Sequence, residues 1–179
     1  PHPGTSGSVL AGAGAVYIDM PWIQAQNLTC RCSMVTDCDN RIVFSQKPFE
    51  QHHIASTTKI MTGLLACESV QGGCNPCRNL TDPVTIQTIL TDPANFPGGT
   101  VGGSDAGLCG GEIMNYGVLL RAMMYPSGND AAFAIADHYV DGVSDCNTVG
   151  CNDVATFVDR MNDKAAELDM TQSSFVNPS

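Results

Sequence analysis

Apolar positions recur along this chain at two different periods, and the change of period divides it. In "AVYIDM" (residues 15 to 20) and "RIVFS" (41 to 45) apolar and β-forming residues alternate or run together, as they do in strands with one face on a core. The two segments predict an antiparallel pair, and the Cys-, Asn- and Asp-rich excursion over about residues 21–40 reads as a long hairpin connection carrying an insertion. The spacing then becomes helical. Over residues 56–70, Ile60, Met61, Leu64, Leu65 and Cys67 fall on helical spacing, with Ser56 at the start and Gly72-Gly73 just past the end. Residues 71–111 are rich in Gly, Asn, Asp and Pro and read mostly as surface loop, with one short candidate strand in "PVTIQTIL". Three more helices are predicted at about 112–124, 128–140 and 153–168. Met61, Met114, Met123, Met124 and Met161 are assigned to the core between helices. Residues 1–13 read as a flexible amino-terminal segment and 14–179 as one domain, with Cys-rich insertions at about 21–40 and 71–111.

Composition narrows the function classes. With 179 residues and 43% hydrophobic content, the chain has material for one globular domain with a real core. No window approaches about 18 uninterrupted apolar residues, so no membrane span is expected, and the opening "PHPGTSGSVLAGAG" lacks the charged and apolar regions of a signal peptide. Eight Lys and Arg stand against 18 Asp and Glu, a formal charge of −10, which leaves no basic stripe for a phosphate backbone and excludes nucleic acid as a partner. No cofactor is expected.

The nine cysteines, Cys30, Cys32, Cys38, Cys67, Cys74, Cys77, Cys109, Cys146 and Cys151, lie mostly in polar loop sequence, a pattern that suits disulfides. Local pairs suggested by spacing are Cys146 with Cys151, and Cys67 with Cys74 or Cys77; an odd count leaves one thiol over. Cys74 and Cys77 also have the spacing of a zinc knuckle, but no second Cys or His pair sits at a matching distance, so no metal is expected. Two glycosylation sequons, at Asn27 and Asn79, fall in or beside the same loops. Together these features predict an exported chain, secreted or at a cell surface.

"HHIASTTKIMTG" carries the candidate chemistry. A serine hydroxyl attacks a carbonyl only when a base takes its proton, and a lysine is that base only when burial or dipoles lower its pKa. Ser56 and Lys59, three residues apart on one helix, meet on the same face. The helix amino terminus adds N–H groups toward a developing oxyanion. The bland alternative makes Ser56 a helix cap and Lys59 a solvated charge. Ser127 and Asn129, in "YPSGNDAAFAIADHYV", fall between two helices, where a hydroxyl could pass a proton and an amide could hold a peptide-like substrate. Their bland alternative is an N-cap by Ser127, Asn129 or Asp130.

"ASTTKIMTGLLACE", "YPSGNDAAFAIADHYV" and "FVDRMNDKAAELDMTQSSFVNPS", in this order, resemble the penicillin-recognising serine acyltransferases, and within them the low-molecular-mass D-alanyl-D-alanine carboxypeptidases. The resemblance covers most of the chain from about residue 14. It implies an α/β fold of the α+β kind, β-lactamase/transpeptidase-like, with a helical lobe packed on an antiparallel sheet and the active site in the crevice between them. It also implies that Ser56 is acylated by a peptide ending in D-Ala-D-Ala, or by a β-lactam mimic. Lys59 would then be the base, Ser127 a proton relay and Asn129 the group that holds the acyl chain.

One departure stands out. The family's third signature, Lys-Thr-Gly, which binds the substrate carboxylate and supplies the other half of the oxyanion hole, is absent from the chain. The expectation is therefore an incomplete domain lacking the later strands, completed by a further segment or a second chain and nearly inactive alone. Two other readings compete. A β-lactamase would carry Ser-Asp-Asn in place of Ser127-Gly128-Asn129 and need a glutamate for its water, whereas Glu167 falls in a helical pattern and reads as solvated. An inactive carboxypeptidase-like module of an extracellular assembly would account for the missing signature, but it need not retain Ser56, Lys59, Ser127 and Asn129. His52 and His53 are assigned to loop solvation and His138 to a partly buried or surface position. Trp22 is left between hairpin packing and a contact surface.

Overall fold

The computed structural model describes residues 29–71, 77–88, 103–144 and 152–179. The expected strand at 15–20, Trp22 and the Asn27 sequon lie outside them. The chain divides into two compact units, Pro1–His52 and His53–Ser179.

In the first unit, β1 (Ser33–Thr36) and β2 (Ile42–Gln46) form an antiparallel hairpin whose register shifts between Val35 and Thr36. The predicted strand at 41–45 is therefore present, but it pairs with a strand inside the excursion that the sequence assigned to a connection. "SMVT" has the β-branched content of a strand, and the Asp37 carboxylate closes the turn by accepting the N–H groups of Asp39 and Arg41, both at 2.9 Å. The intervening cysteines mask that signal by reading as loop chemistry.

The second unit is a helical body with a small ribbon. A 3₁₀ turn at Ala55–Thr57 leads into α1 (Thr58–Ser69). Next come β3 (Pro83–Thr85), β4 (Ile113–Asn115), α2 (Tyr116–Met124), α3 (Asn129–Asp141) and α4 (Asn152–Glu167). β3 and β4 pair antiparallel, Val84 opposite Met114, and the ladder continues through Ile86 N–H to Glu112 O at 2.8 Å. This corrects the sequence reading at one end of a helix. Residues 112–115 were expected to be helical, but their backbone is used by the ribbon, and Asn115 stays extended (ψ 142) just before α2. An apolar run of a few residues does not choose between the two structures until a partner strand is at hand.

α3 is the centre of this unit. It packs against α1, α2, α4 and β3, and every residue from Asp130 to Tyr139 is buried. Ala131, Ala132, Ala134 and Ala136 let its neighbours approach closely. One apolar cluster joins Val84, Ile86, Leu108, Tyr116, Leu119, Met123 and Ile135; the other joins Met61, Leu65, Tyr139, Phe157, Met161 and Phe175. Tyr139 and Phe157 meet edge to face, ring centroids 4.9 Å apart. Gly142 ends α3 in the left-handed conformation (φ 81), with its N–H on His138 O at 3.0 Å.

The methionine and helix-face assignments hold in part. Met61, Met123 and Met161 are core and Met114 packs against it, but Met124 is 51% exposed. Ile60 is 65% exposed because the buried face of α1 runs through Thr58, Met61, Thr62, Leu65, Ala66 and Ser69, and Ile60 falls on the opposite side.

Two tertiary ties explain why certain polar residues sit where they do. The Asn162 amide donates to Phe175 O at 2.9 Å and accepts Phe175 N–H at 2.9 Å, clamping residues beyond α4 as a strand partner would. Thr62 donates to Pro178 O at 2.6 Å inside the core, tying the same segment to α1. At the α2–α3 junction, Gly128 is closed in on three sides. A Cβ there would lie 2.8 Å from each of Ala106 Cβ, Ala122 O and Asp130 Oδ1. The aspartate of a Ser-Asp-Asn triplet has no room at this position.

Asn162→Ala should cost about 1–3 kcal/mol, from two backbone groups of Phe175 left without partners, read as a lowered denaturant midpoint with faster exchange of the Phe175 amide. Gly128→Ala should cost a similar ~1–3 kcal/mol by overpacking; a melting temperature equal to wild type would show that the junction has slack.

Candidate active site

The 3₁₀ turn before α1 sets the position of Ser56. Thr57 fixes the turn, donating both its N–H (3.1 Å) and its hydroxyl (2.6 Å) to Ile54 O. Ala55 is held at φ 46, a costly conformation for a residue with a Cβ. Ser56 follows on the exposed side, so its hydroxyl is open to a ligand. It does not cap the helix: Thr57 is the N-cap, without a side-chain capping bond.

Lys59 is 2% exposed. Its ammonium donates to Ser56 Oγ at 3.3 Å and to Asn129 Oδ1 at 2.5 Å. Both acceptors are neutral, so nothing in direct contact offsets the loss of water with a full negative charge. Burial accordingly lowers the Lys59 pKa, opposed in part by the field of Asp130. This is the direction a general base requires, and it rules out the solvated charge that the bland reading allowed.

Asn129 reaches Lys59 because it is the first residue of α3, whose buried body fixes that end; its N–H donates to Ser104 O at 2.9 Å. The N-cap of α3 is Gly128, which has no side chain to cap with, so Ser127 and Asn129 are not used as caps. Ser127 sits half-buried two residues before Asn129 at φ 63, a second strained position beside the site. The structure thus joins Ser56, Lys59 and Asn129 by direct contact and places Ser127 on the turn that presents Asn129.

Sequence reasoning treated Asp130 only as a possible cap. In the structure its buried carboxylate takes the N–H groups of Ala106, Leu108 and Ala131. The available signal is an acidic residue directly after Asn129 and ahead of the apolar run Ala131–Ala136, and a capping reading of it looks only at the helix end.

The remaining candidates lie elsewhere. His52 pairs with Glu50 at 3.4 Å, and His53 is exposed. His138 is 3% exposed, more buried than expected, with its ring 5.6 Å from that of Tyr116; burial, reinforced by Arg78, lowers its pKa. Glu167 is solvent-exposed, as its sequence context indicated, and it pairs with Lys164. Asn79 of the second sequon is exposed on a turn, its amide donating to Asp82 at 3.3 Å.

The disulfide expectation is corrected at five positions. Cys30, Cys32, Cys38, Cys67 and Cys109 are exposed free thiols, which removes both proposed pairings of Cys67. Cys77 is disulfide-bonded. Cys74, Cys146 and Cys151, and with them the suggested 146–151 pair, lie outside the described residues. Among the described residues no group of three or more His, Cys, Asp or Glu is disposed to hold a metal ion, and no helix is long and apolar enough to cross a membrane.

Known proteins resemble this chain in sequence and fold. The D-alanyl-D-alanine carboxypeptidase DacF of Bacillus subtilis is 30% identical over 138 residues, 77% of this chain and 30% of that protein. A D-alanyl-D-alanine carboxypeptidase of a Streptomyces species is 36% identical over 124 residues, 67% of this chain and 36% of that protein. The chain therefore spans about a third of the length of these curated relatives. Among solved structures, the Streptomyces K15 DD-transpeptidase superposes with a TM-score of 0.61 at 28% identity, covering 77% of this chain and 47% of that one. Penicillin binding protein 6B of Escherichia coli does so with a TM-score of 0.62 at 27% identity, covering 77% and 38%. The likeness establishes the transpeptidase-type α+β fold that the motifs implied. Matched over residues 21–179, the chain belongs to the D-alanyl-D-alanine carboxypeptidase family Peptidase_S11.

Proposed function

We propose that this chain carries the acylating half of a serine D-alanyl-D-alanine peptidase site, with Ser56 as nucleophile. The observation that carries the reading is the Lys59 ammonium, buried and held between Ser56 Oγ and Asn129 Oδ1. A base needs contact with the proton it takes and a depressed pKa, and Lys59 has both.

In the proposed reaction, neutral Lys59 Nζ accepts the Ser56 proton as Oγ bonds to the carbonyl carbon between the two D-alanines. The tetrahedral centre collapses with cleavage of the C–N bond, and the departing amine takes a proton passed through Ser127. Free D-alanine leaves, and Ser56 is an ester of the shortened peptide. Water then adds to that ester, the bond to Oγ breaks, and Ser56 regains its proton. The Asn129 amide orients Lys59 through its oxygen and offers its N–H groups to the acyl chain. A β-lactam would follow the first half of this course and stop at the ester.

Location follows from other features. The exposed Asn79 sequon and the disulfide at Cys77 support an exported, glycosylated protein, secreted or on a cell surface. Lys-Thr-Gly is absent from the chain, so a further segment or a second polypeptide is the proposed source of the carboxylate clamp and the second oxyanion donor.

Intact-mass analysis after incubation with a labelled penicillin should show a single adduct, formed slowly and lost in Ser56→Ala. No adduct, even with the full-length protein, would leave the reading as an inactive structural module. Lys59 acts only when neutral, so the acylation rate should rise with pH through its pKa, with a midpoint below the ordinary lysine value of 10.5. A rate flat from pH 6 to 10 would remove Lys59 as the base.

A further inference from the structure

Asp130 is 3% exposed, in the first turn of α3, and it forms no ion pair among the described residues. Its carboxylate serves backbone instead. Oδ1 accepts the N–H of Ala106 at 2.8 Å and that of Ala131 at 2.8 Å, and Oδ2 accepts the N–H of Leu108 at 3.0 Å. Two of these donors lie more than 20 residues earlier in the chain, so most of the carboxylate is directed at a strap and not at its own helix. The same strap takes the Asn129 N–H on Ser104 O, and it comes near enough to Gly128 that a Cβ there would meet Ala106 Cβ at 2.8 Å. Residues 104–108 thus cross the amino end of α3 where Ser127 and Asn129 sit.

We propose that Asp130 is a positioning residue of the site, whose carboxylate ties residues 104–108 across the amino end of α3 and thereby holds Asn129 against Lys59. The argument is geometric. Asn129 is fixed by its N–H on the strap and its Oδ1 on Lys59, and the strap is fixed by Asp130. Charge-assisted bonds to backbone N–H groups are the strong kind, and the carboxylate and its bond to Leu108 are buried. A second effect follows. Asp130 is the ionised group whose field reaches Lys59, while the direct contacts of Lys59, Ser56 and Asn129, are neutral. Held out of contact, the carboxylate tempers the lowering of the Lys59 pKa without pinning the ammonium as an ion pair would.

The inference rests on the site reading proposed above, and its test does not need acylation. In wild type, the amides of Ala106 and Leu108 should exchange hydrogen as slowly as those inside α3; rates typical of an open loop would overturn the proposal without any variant. In Asp130→Asn one of the two amide partners must be lost. Exchange at Ala106 or Leu108, and at Asn129, should quicken about tenfold or more, the loss of one charge-assisted bond. The Lys59 ammonium, followed by nitrogen NMR against Lys47 and Lys164, should titrate at lower pH than in wild type, since a negative charge that favours its protonated form is gone. Unchanged exchange at 104–108 with an unmoved Lys59 titration would reduce Asp130 to a helix-end residue. If these shifts occur while no penicillin adduct forms, the positioning role stands and the catalytic reading fails. An adduct formed at wild-type rate in Asp130→Asn with Lys59 unmoved is the reverse case.

Discussion

Burying one helix on every side is the constraint from which the rest of the larger unit follows. α3 has no solvent face between Asp130 and Tyr139, so α1, α2, α4 and β3 must all reach it, and its alanines set how near they come. A helix so enclosed cannot carry polar groups cheaply, yet this one carries Asp130, Asp137 and His138. Each has to be answered by surrounding chain. Asp130 is answered by residues 106 and 108, and the His138 ring lies 3.3 Å from the Ser144 hydroxyl. The amino end of a helix that cannot shift is a good place to mount Asn129, and that is where the site begins.

The two well-described lysines of this unit show how environment divides one side chain between two uses. Lys164 lies between Glu68 at 3.1 Å and Glu167 at 2.5 Å, and hydrogen bonds to both carboxylates raise its pKa. It stays charged and joins α4 to α1. Lys59 is given neutral oxygens and little water, so its proton is loosely held. The difference is one of partner charge, and it separates a fastener from a lysine whose charged form is disfavoured.

Local contacts were more legible in the sequence than the architecture around them. That Ser56 and Lys59 meet was readable because their spacing is local, and the three later helices were readable because their apolar spacing is strong. The strand at Ile113–Asn115 was not, since its hydrogen-bond partners lie some 30 residues earlier at Pro83–Thr85 and its own apolar residues also suit a helix. The outward turn of Ile60 and Met124 depends on where neighbouring helices sit, which periodicity alone does not state. Cysteine count misled in two places: it hid β1 inside an apparent connection, and it paired Cys67, which stays free. Asp130 was visible as a letter but not as a clamp, because the amides it binds belong to a loop without any pattern of its own.

The bond from Thr62 to Pro178 O spans 116 residues, and Asn162 secures the segment that supplies it. At ordinary rates of synthesis that separation is on the order of ten seconds of translation. For that interval α1, with Ser56 just ahead of it, has been made but lacks one of its walls, and its apolar face must wait. Completion of the wall around α1 is thus a late, high-contact-order event, and a ribosome that pauses before residue 175 leaves the buried face of α1 without it.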